Sequence, residues 1–224
     1  MASFKLNIAR IQGCPPAAKL AAALEKYGLP EGDEFGVLSH SATSESAFAT
    51  IIRRTQQTVQ KLDDKSREVT SERVEKVTLY PFGVRPSSEV LEVYAGAAPA
   101  VEQVGIFFSS CLGLPTVVEM IELDIAAAIS KLMKSTRKFI LRSIRISDYA
   151  HNSYMSGPYA PKFLDSVHGL EFLEQYAEQV TSAAVKFATQ TGRATATLTP
   201  KACFGYACKE EDQPEVQSVL RKLI

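Results

Sequence analysis

The stretch AAVKFATQTGRATATLT, residues 183–199, decides the fold class of this chain. Apolar and polar residues alternate on both sides of Thr191 and Gly192, which is typical of two strands joined by a short hairpin. The same apolar parity continues through Phe204 and Tyr206, so the second strand is predicted to be long or bent at Pro200. The C-terminal part of the chain is therefore expected to contain an antiparallel pair.

Working outward from this hairpin, the remaining patterns mix strands and helices. Helices are predicted at residues 17–27, 99–112, 125–133, 169–178 and 215–223, and further strands at 4–11, 35–39, 47–52, 77–84, 90–94, 117–123 and 139–146. Hairpin-like neighbours outnumber strand–helix–strand crossovers, of which there are about two. The order favours an α+β fold with a largely antiparallel mixed sheet and about five helices. We predict a single domain over residues 1–224, with two lobes, 1–86 and 87–224, as the alternative.

Residues 53–76 are strongly polar, with four apolar anchors at residues 59, 62, 69 and 74. Their Thr and Val content favours strands, and the centre, Asp63-Asp64-Lys65, resembles a turn. We predict a polar β-ribbon arm that folds back at this centre. A helix is the alternative, since residues 52, 55, 59 and 62 share a helical face.

Composition excludes several functional classes. The chain has 224 residues with 25 basic and 25 acidic side chains, so binding to polyanions over its entire surface is not expected. No apolar stretch reaches the roughly 18 to 20 residues of a membrane span, and the N-terminus lacks the apolar region of a signal peptide. A soluble, cytoplasmic protein without a membrane partner is predicted. Its four cysteines form no CxxC pair and are expected to be reduced thiols.

Catalytic and cofactor signatures are absent from the sequence. Phosphate-loop and dinucleotide-loop patterns, GxSxG and metal-ligand histidine spacings do not occur, so no cofactor and no metal site is predicted. Glu119, Glu122 and Asp124 lie in or just after a predicted strand and would suit Mg²⁺ in a metal-dependent hydrolase. The favoured interpretation is that Asp124 caps the next helix. A non-catalytic protein is expected, with the hydrolase as a lesser alternative.

One group of basic residues indicates a binding partner. Six basic residues and no acid lie between Ser130 and Ser147: Lys131, Lys134, Arg137, Lys138, Arg142 and Arg145. The first two lie near the C-terminal end of a predicted helix, where the helix dipole favours cations. On a regular strand the other four divide between two faces, with Arg137 and Arg145 on one and Lys138 and Arg142 on the other.

A loop is predicted at residues 148–162, and it brings aromatic and polar side chains close to this basic strand. Phosphates attract the cations and bases stack on tyrosine, so Tyr149, His151 and Tyr154 are candidate contacts with DNA or RNA. Arg53 and Arg54 would extend the surface. The sequence predicts a non-catalytic nucleic-acid-binding module. The alternative is a protein–protein interaction subunit of a homo-oligomer or hetero-oligomer, and the tyrosines would then simply pack on the domain.

Overall fold

The structure is a computed structural model that describes residues 1–62, 67, 69–96, 98–152 and 155–224, with only the backbone described at residues 151 and 152. These residues form five α-helices and eleven strands, a mixed α+β content as predicted, and strands account for the larger share. The helices are α1 (Ala17–Tyr27), α2 (Ala98–Ile106), α3 (Ile125–Ser135), α4 (Ser166–Gln175) and α5 (Gln213–Arg221). The strands are β1 (Ala2–Gln12), β2 (Phe35–Ala42), β3 (Ala47–Leu62), β4 (Val69–Arg85), β5 (Val90–Val93), β6 (Val117–Met120), β7 (Arg137–Asn152), β8 (Met155–Tyr159), β9 (Val180–Ala188), β10 (Arg193–Leu198) and β11 (Cys203–Cys208).

Contacts divide the chain into two compact units, and each is discontinuous in sequence. Unit 1 comprises Met1–Arg10, Gly96–Val101 and Glu119–Ile224, and unit 2 comprises Ile11–Ala95 and Glu102–Val118. This division does not test the prediction of a single domain over residues 1–224, which stays a prediction.

The strands of unit 1 follow the order β1-β11-β10-β9-β7-β8. β9 and β10 form the predicted hairpin, which the Thr189 amide closes by donating to the Gly192 carbonyl at 3.1 Å. The strand predicted to continue past Pro200 instead ends at Leu198. Ala202 takes a left-handed φ of 47°, and the chain turns back as β11, antiparallel to β10.

One face of this sheet is buried, whereas on the other face the outward residues of β9, β10 and β11 are exposed or half-buried. Alternate residues of β9, β10 and β11, among them Val185, Ala196 and Phe204, are fully buried. The helix α3 contacts β7 and β9 through a stripe of buried residues spaced three and four apart, and α5 contacts β11. Asp124 caps α3 as predicted, its Oδ1 accepting the Ala127 amide at 3.0 Å.

The region after residue 147 differs from the predicted loop. β7 continues to Asn152, and β8 returns beside it with Tyr149 opposite Gly157 and Ala150 opposite Ser156. Gly157 and Pro158 favoured a loop in the sequence, but β8 lies at the end of the strand order, where proline is tolerated because its missing amide need not bond a neighbour.

Unit 2 contains the strand order β2-β3-β4-β5. β3 and β4 pair without a register shift from Ala47 opposite Val84 to Leu62 opposite Val69. Residues 53–62 and 69–76 therefore lie in paired strands and not in a helix, while the predicted turn at residues 63–65 lies outside the described residues. The helix α1 has the predicted bounds, and Gly28 ends it with a φ of 62°.

None of the helices in the described part of the chain is long and apolar enough to cross a membrane.

Candidate nucleic-acid interface

Strand β7, which holds the basic residues, is irregular. Its register with β9 shifts between Arg137 and Ile140, between Leu141 and Ser143, and again after Arg145. Lys138 has a left-handed φ of 51° at the first of these shifts. Each extra residue in a β-bulge breaks the alternation of side chains between the two faces. Arg137 and Arg145 lie opposite Ala188 and Ser182, two residues on the same side of β9, in agreement with the predicted division. Lys138 and Arg142 lie at the register shifts, where the alternation of a regular strand does not apply.

The four cations of β7 are Arg137, Lys138, Arg142 and Arg145, and all of them are exposed. They alternate irregularly with Leu141, Ile144 and Ile146, which are at most 1% exposed and anchor the strand in the core. Among the residues that the structure describes, none of the four side chains makes an ion pair or a hydrogen bond. The strand thus presents four uncompensated positive charges.

The two lysines at the start of the basic run belong to α3. The Nζ atom of Lys131 donates to the Leu223 carbonyl at 3.2 Å, so this lysine holds the chain that follows α5. Lys134 lies in the last turn of α3, where it faces the negative end of the helix dipole. Structure alone accounts for both residues.

Of the three residues predicted to contact bases, only Tyr149 has a described side chain. The Tyr149 ring is half-buried and stacks on Tyr159 with centroids 4.5 Å apart, and Tyr176 approaches it to 5.7 Å. One ring face of Tyr149 is therefore occupied by protein. His151 lies in β7 by its backbone, and Tyr154 lies outside the described residues.

Arg53 and Arg54 belong to unit 2, a different unit from the one that holds β7. Arg53 Nε donates to Glu34 Oε1 at 2.6 Å, and its guanidinium lies 5.8 Å from the centre of the Phe35 ring. Arg54 Nη1 donates to the carbonyls of Asp33 and Pro30 at 2.8 and 3.3 Å. Both guanidinium groups are engaged in holding the chain before β2 against β3.

Sequence reasoning missed a second group of cations, which the strand order places beside β7. We define the open face as the side of β1, β11, β10, β9 and β7 opposite α3 and α5. Two rows of paired outward residues cross it: Lys5, Gly205, Thr197, Ala184 and Ser143 in one, and Ser3, Ala207, Thr195, Lys186 and Ile140 in the other. Arg193 and Arg145 flank these rows on β10 and β7. Each of these cations lies alone in an alternating strand, so the sequence did not indicate that they belong to one surface.

The carboxylates considered for a hydrolase do not form a site. β6 ends at Met120, so Glu122 and Asp124 lie beyond the strand that was predicted to align them. Glu119, Glu122 and Asp124 are all exposed, and Asp124 is used as a helix cap. Within the described residues no group of three His, Cys, Asp or Glu side chains is placed to hold a metal ion.

Comparison with known proteins does not assign a family. The chain matches no protein-family model and no curated protein sequence. A functional proposal therefore depends on the residues and their geometry.

Proposed function

We propose that this protein binds nucleic acid through the exposed cations of β7 and does so without catalysis. The observation that carries the proposal is that Arg137, Lys138, Arg142 and Arg145 are all exposed and uncompensated on one bulged strand. Tyr149 and His151, on the same strand, and Tyr154 stay predicted contacts with bases, and Tyr149, whose ring already stacks on Tyr159, is expected to contribute least.

Uncompensated cations favour a polyanionic partner for an energetic reason. A lysine or arginine already paired with a carboxylate must lose that partner before it contacts a phosphate, whereas the β7 cations lose only water. Each phosphate that they neutralise releases condensed counterions, which supplies favourable entropy. Such binding is independent of base sequence, because phosphate contacts position a protein on a nucleic acid without reading bases.

Fluorescence anisotropy with labelled DNA and RNA oligonucleotides at low salt tests the proposal. Arg142→Ala combined with Arg145→Ala is expected to weaken binding on every sequence and to make its salt dependence shallower. A Lys134→Ala variant is the control, since it removes a cation of the same run from α3. Undetectable binding by the wild type, or equal binding by the double variant, would refute the proposal.

A protein partner is the second candidate, and it is favoured by unit 2. One face of the β3–β4 pair carries four apolar side chains that are about half exposed or more: Leu62, Val69, Val77 and Leu79. Exposed apolar residues on one face of a strand pair are typical of contact surfaces. Analytical ultracentrifugation of the wild type and of a Leu62→Ser, Val69→Ser variant tests it: a defined mass above 24.5 kDa that the variant loses supports an oligomer.

A further inference from the structure

The positive charge of unit 1 extends well beyond β7. Lys5 on β1, Lys186 on β9 and Arg193 on β10 share the open face with Arg145 of β7. Lys5, Arg193 and Arg145 are exposed, and Lys186 is half-buried. Within the described part of the chain, none of these four side chains makes an ion pair. Since neighbouring strands lie about 4.8 Å apart, the cations from β1 to β7 span roughly 19 Å.

The surface between these cations suits a phosphate chain. Its two rows contain small or hydroxyl-bearing residues such as Gly205, Thr197 and Thr195, with no aspartate, glutamate or aromatic residue in either row. Hydroxyl groups donate hydrogen bonds to phosphate oxygens. Side chains of this size also let an extended ligand lie close to the sheet.

Lys5 lines two neighbouring shallow depressions in the open face. One, of about 240 Å³, is lined by Lys5, Thr195, Thr197 and Gly205 among others. The second, of about 230 Å³, shares Lys5, Thr197 and Gly205 and is bounded by Gly96. The Lys5 ammonium lies 3.1 Å from the point that a Cβ atom on Gly205 would occupy. The missing side chain at Gly205 thus makes room for the ammonium on the sheet.

We infer that the open face binds the sugar–phosphate backbone of single-stranded nucleic acid, DNA or RNA, in continuation of β7; the inference rests on the proposed function. A flexible single strand can follow cations that are spread across five neighbouring strands, whereas the phosphates of a duplex keep a fixed cylindrical arrangement. No element of the two rows projects to enter a duplex groove, as base readout in a duplex requires. Because the rows offer no aromatic ring for stacking, affinity depends on phosphates and varies little with base sequence.

The test reverses the cations of the open face that lie outside β7. The variant Lys5→Glu, Lys186→Glu, Arg193→Glu is compared with Lys19→Glu, Lys26→Glu, Lys134→Glu, which changes the net charge equally on exposed helix lysines of α1 and α3. Anisotropy is measured with a labelled 20-nucleotide poly-dT and its RNA counterpart. We expect the first variant to bind at least tenfold more weakly, with a salt slope shallower by about 2 for three lost contacts, and the control within about twofold of the wild type.

An uncharged variant keeps the test valid if the triple reversal unfolds. Gly205→Val adds a side chain beside Lys5 without changing any charge, and valine is well suited to a strand. Circular dichroism establishes that it is folded, and binding at least threefold weaker than wild type is expected.

Several outcomes would overturn the inference. If variants of β7 weaken binding while the Lys5, Lys186, Arg193 and Gly205 variants do not, the proposed function stands and the open face plays no part in it. Tighter binding of a 20-base-pair duplex than of the single strand excludes the assigned ligand. If poly-L-glutamate competes as effectively as the unlabelled strand, the face binds polyanions in general and not nucleic acid in particular. Absence of any binding by the wild type refutes the proposed function itself.

Discussion

Two pairs of arginines in this protein have similar sequence surroundings and opposite structural roles. Arg53 and Arg54 in unit 2 contact Glu34 and the carbonyls of Asp33 and Pro30. Arg142 and Arg145 in unit 1 are exposed, and no described residue forms an ion pair with either. The difference teaches that a count of charges along a sequence identifies basic segments but not free cations. What an arginine does depends on the acceptors that the fold places beside it.

Charge reversal at the free pair is expected to have the largest effect. Arg142→Glu with Arg145→Glu exchanges two phosphate contacts for two repulsions, so the Kd for a labelled single strand should rise roughly a hundredfold, about 1.4 kcal/mol for each tenfold step. The same reversal at Lys19 and Lys26 of α1 is the control with equal net charge, and a change below about twofold is expected there. Similar losses in both variants would show that only total charge matters.

Removal of an arginine whose guanidinium group is hydrogen-bonded should instead lower the free energy of unfolding. Arg54→Ala deletes charge-assisted hydrogen bonds to two carbonyls, which are worth about 1.5–3 kcal/mol of unfolding free energy. Arg142→Ala should stay within about 0.5 kcal/mol of wild type, as surface substitutions usually do. Urea unfolding followed by circular dichroism measures both, and equal destabilisation by the two variants would erase the distinction between the pairs.

A substitution at Tyr149 is expected to have an effect of intermediate size on the free energy of unfolding. Its ring already stacks on Tyr159, so Tyr149→Leu should lower the unfolding free energy by about 0.5–1.5 kcal/mol for the lost aromatic pair. Binding of poly-dT should change by less than about twofold. A loss of about 1–3 kcal/mol in binding would show that a base stacks on Tyr149.

The smallest effect is expected in the alkylation rate of Cys203, which reports on the charge of Lys5 in the open face. Burial raises the pKa of its thiol, and the nearby charges of Lys201 and Lys5 partly oppose that rise. Lys5→Gln should therefore raise the pKa of Cys203 further and slow its alkylation by iodoacetamide at pH 8, because less thiolate is present. Cys14 in unit 2, where burial raises the pKa to about 11, is the internal control. Mass spectrometry of labelled peptides measures both rates, and an unchanged Cys203 rate would place the Lys5 charge too far away to act.

The regular parts of the fold could be predicted because their signals are local. The alternation around Thr191-Gly192 predicted the β9–β10 hairpin, and Asp124 before an amphipathic stretch predicted the start of α3. The bulges of β7 could not be read in the same way. A left-handed Lys138 reflects pairing with β9, which begins more than forty residues later, and nothing in the local sequence requires it.

The candidate site was predicted only where its residues are contiguous. Arg137, Lys138, Arg142 and Arg145 form a visible run, but Lys5 and Arg193 reach the same face through the strand order β1-β11-β10-β9-β7. Strand order depends on tertiary packing, so residues far apart in sequence cannot be grouped from local patterns. Arg53 and Arg54 were predicted to extend the interface for the same reason: their acceptors near residue 33 are not evident in the local sequence, and their part in binding stays a prediction.

A salt titration of single-strand binding by the wild-type protein tests the central claim most directly. Four to seven phosphate contacts predict that log K falls against log salt with a slope between about −3 and −5, at about 0.7 for each contact. The same slope is expected for poly-dT and for mixed sequences. A slope shallower than about −1, or no binding at about 20 mM salt, would contradict the claim that the free cations of unit 1 form a phosphate-binding surface.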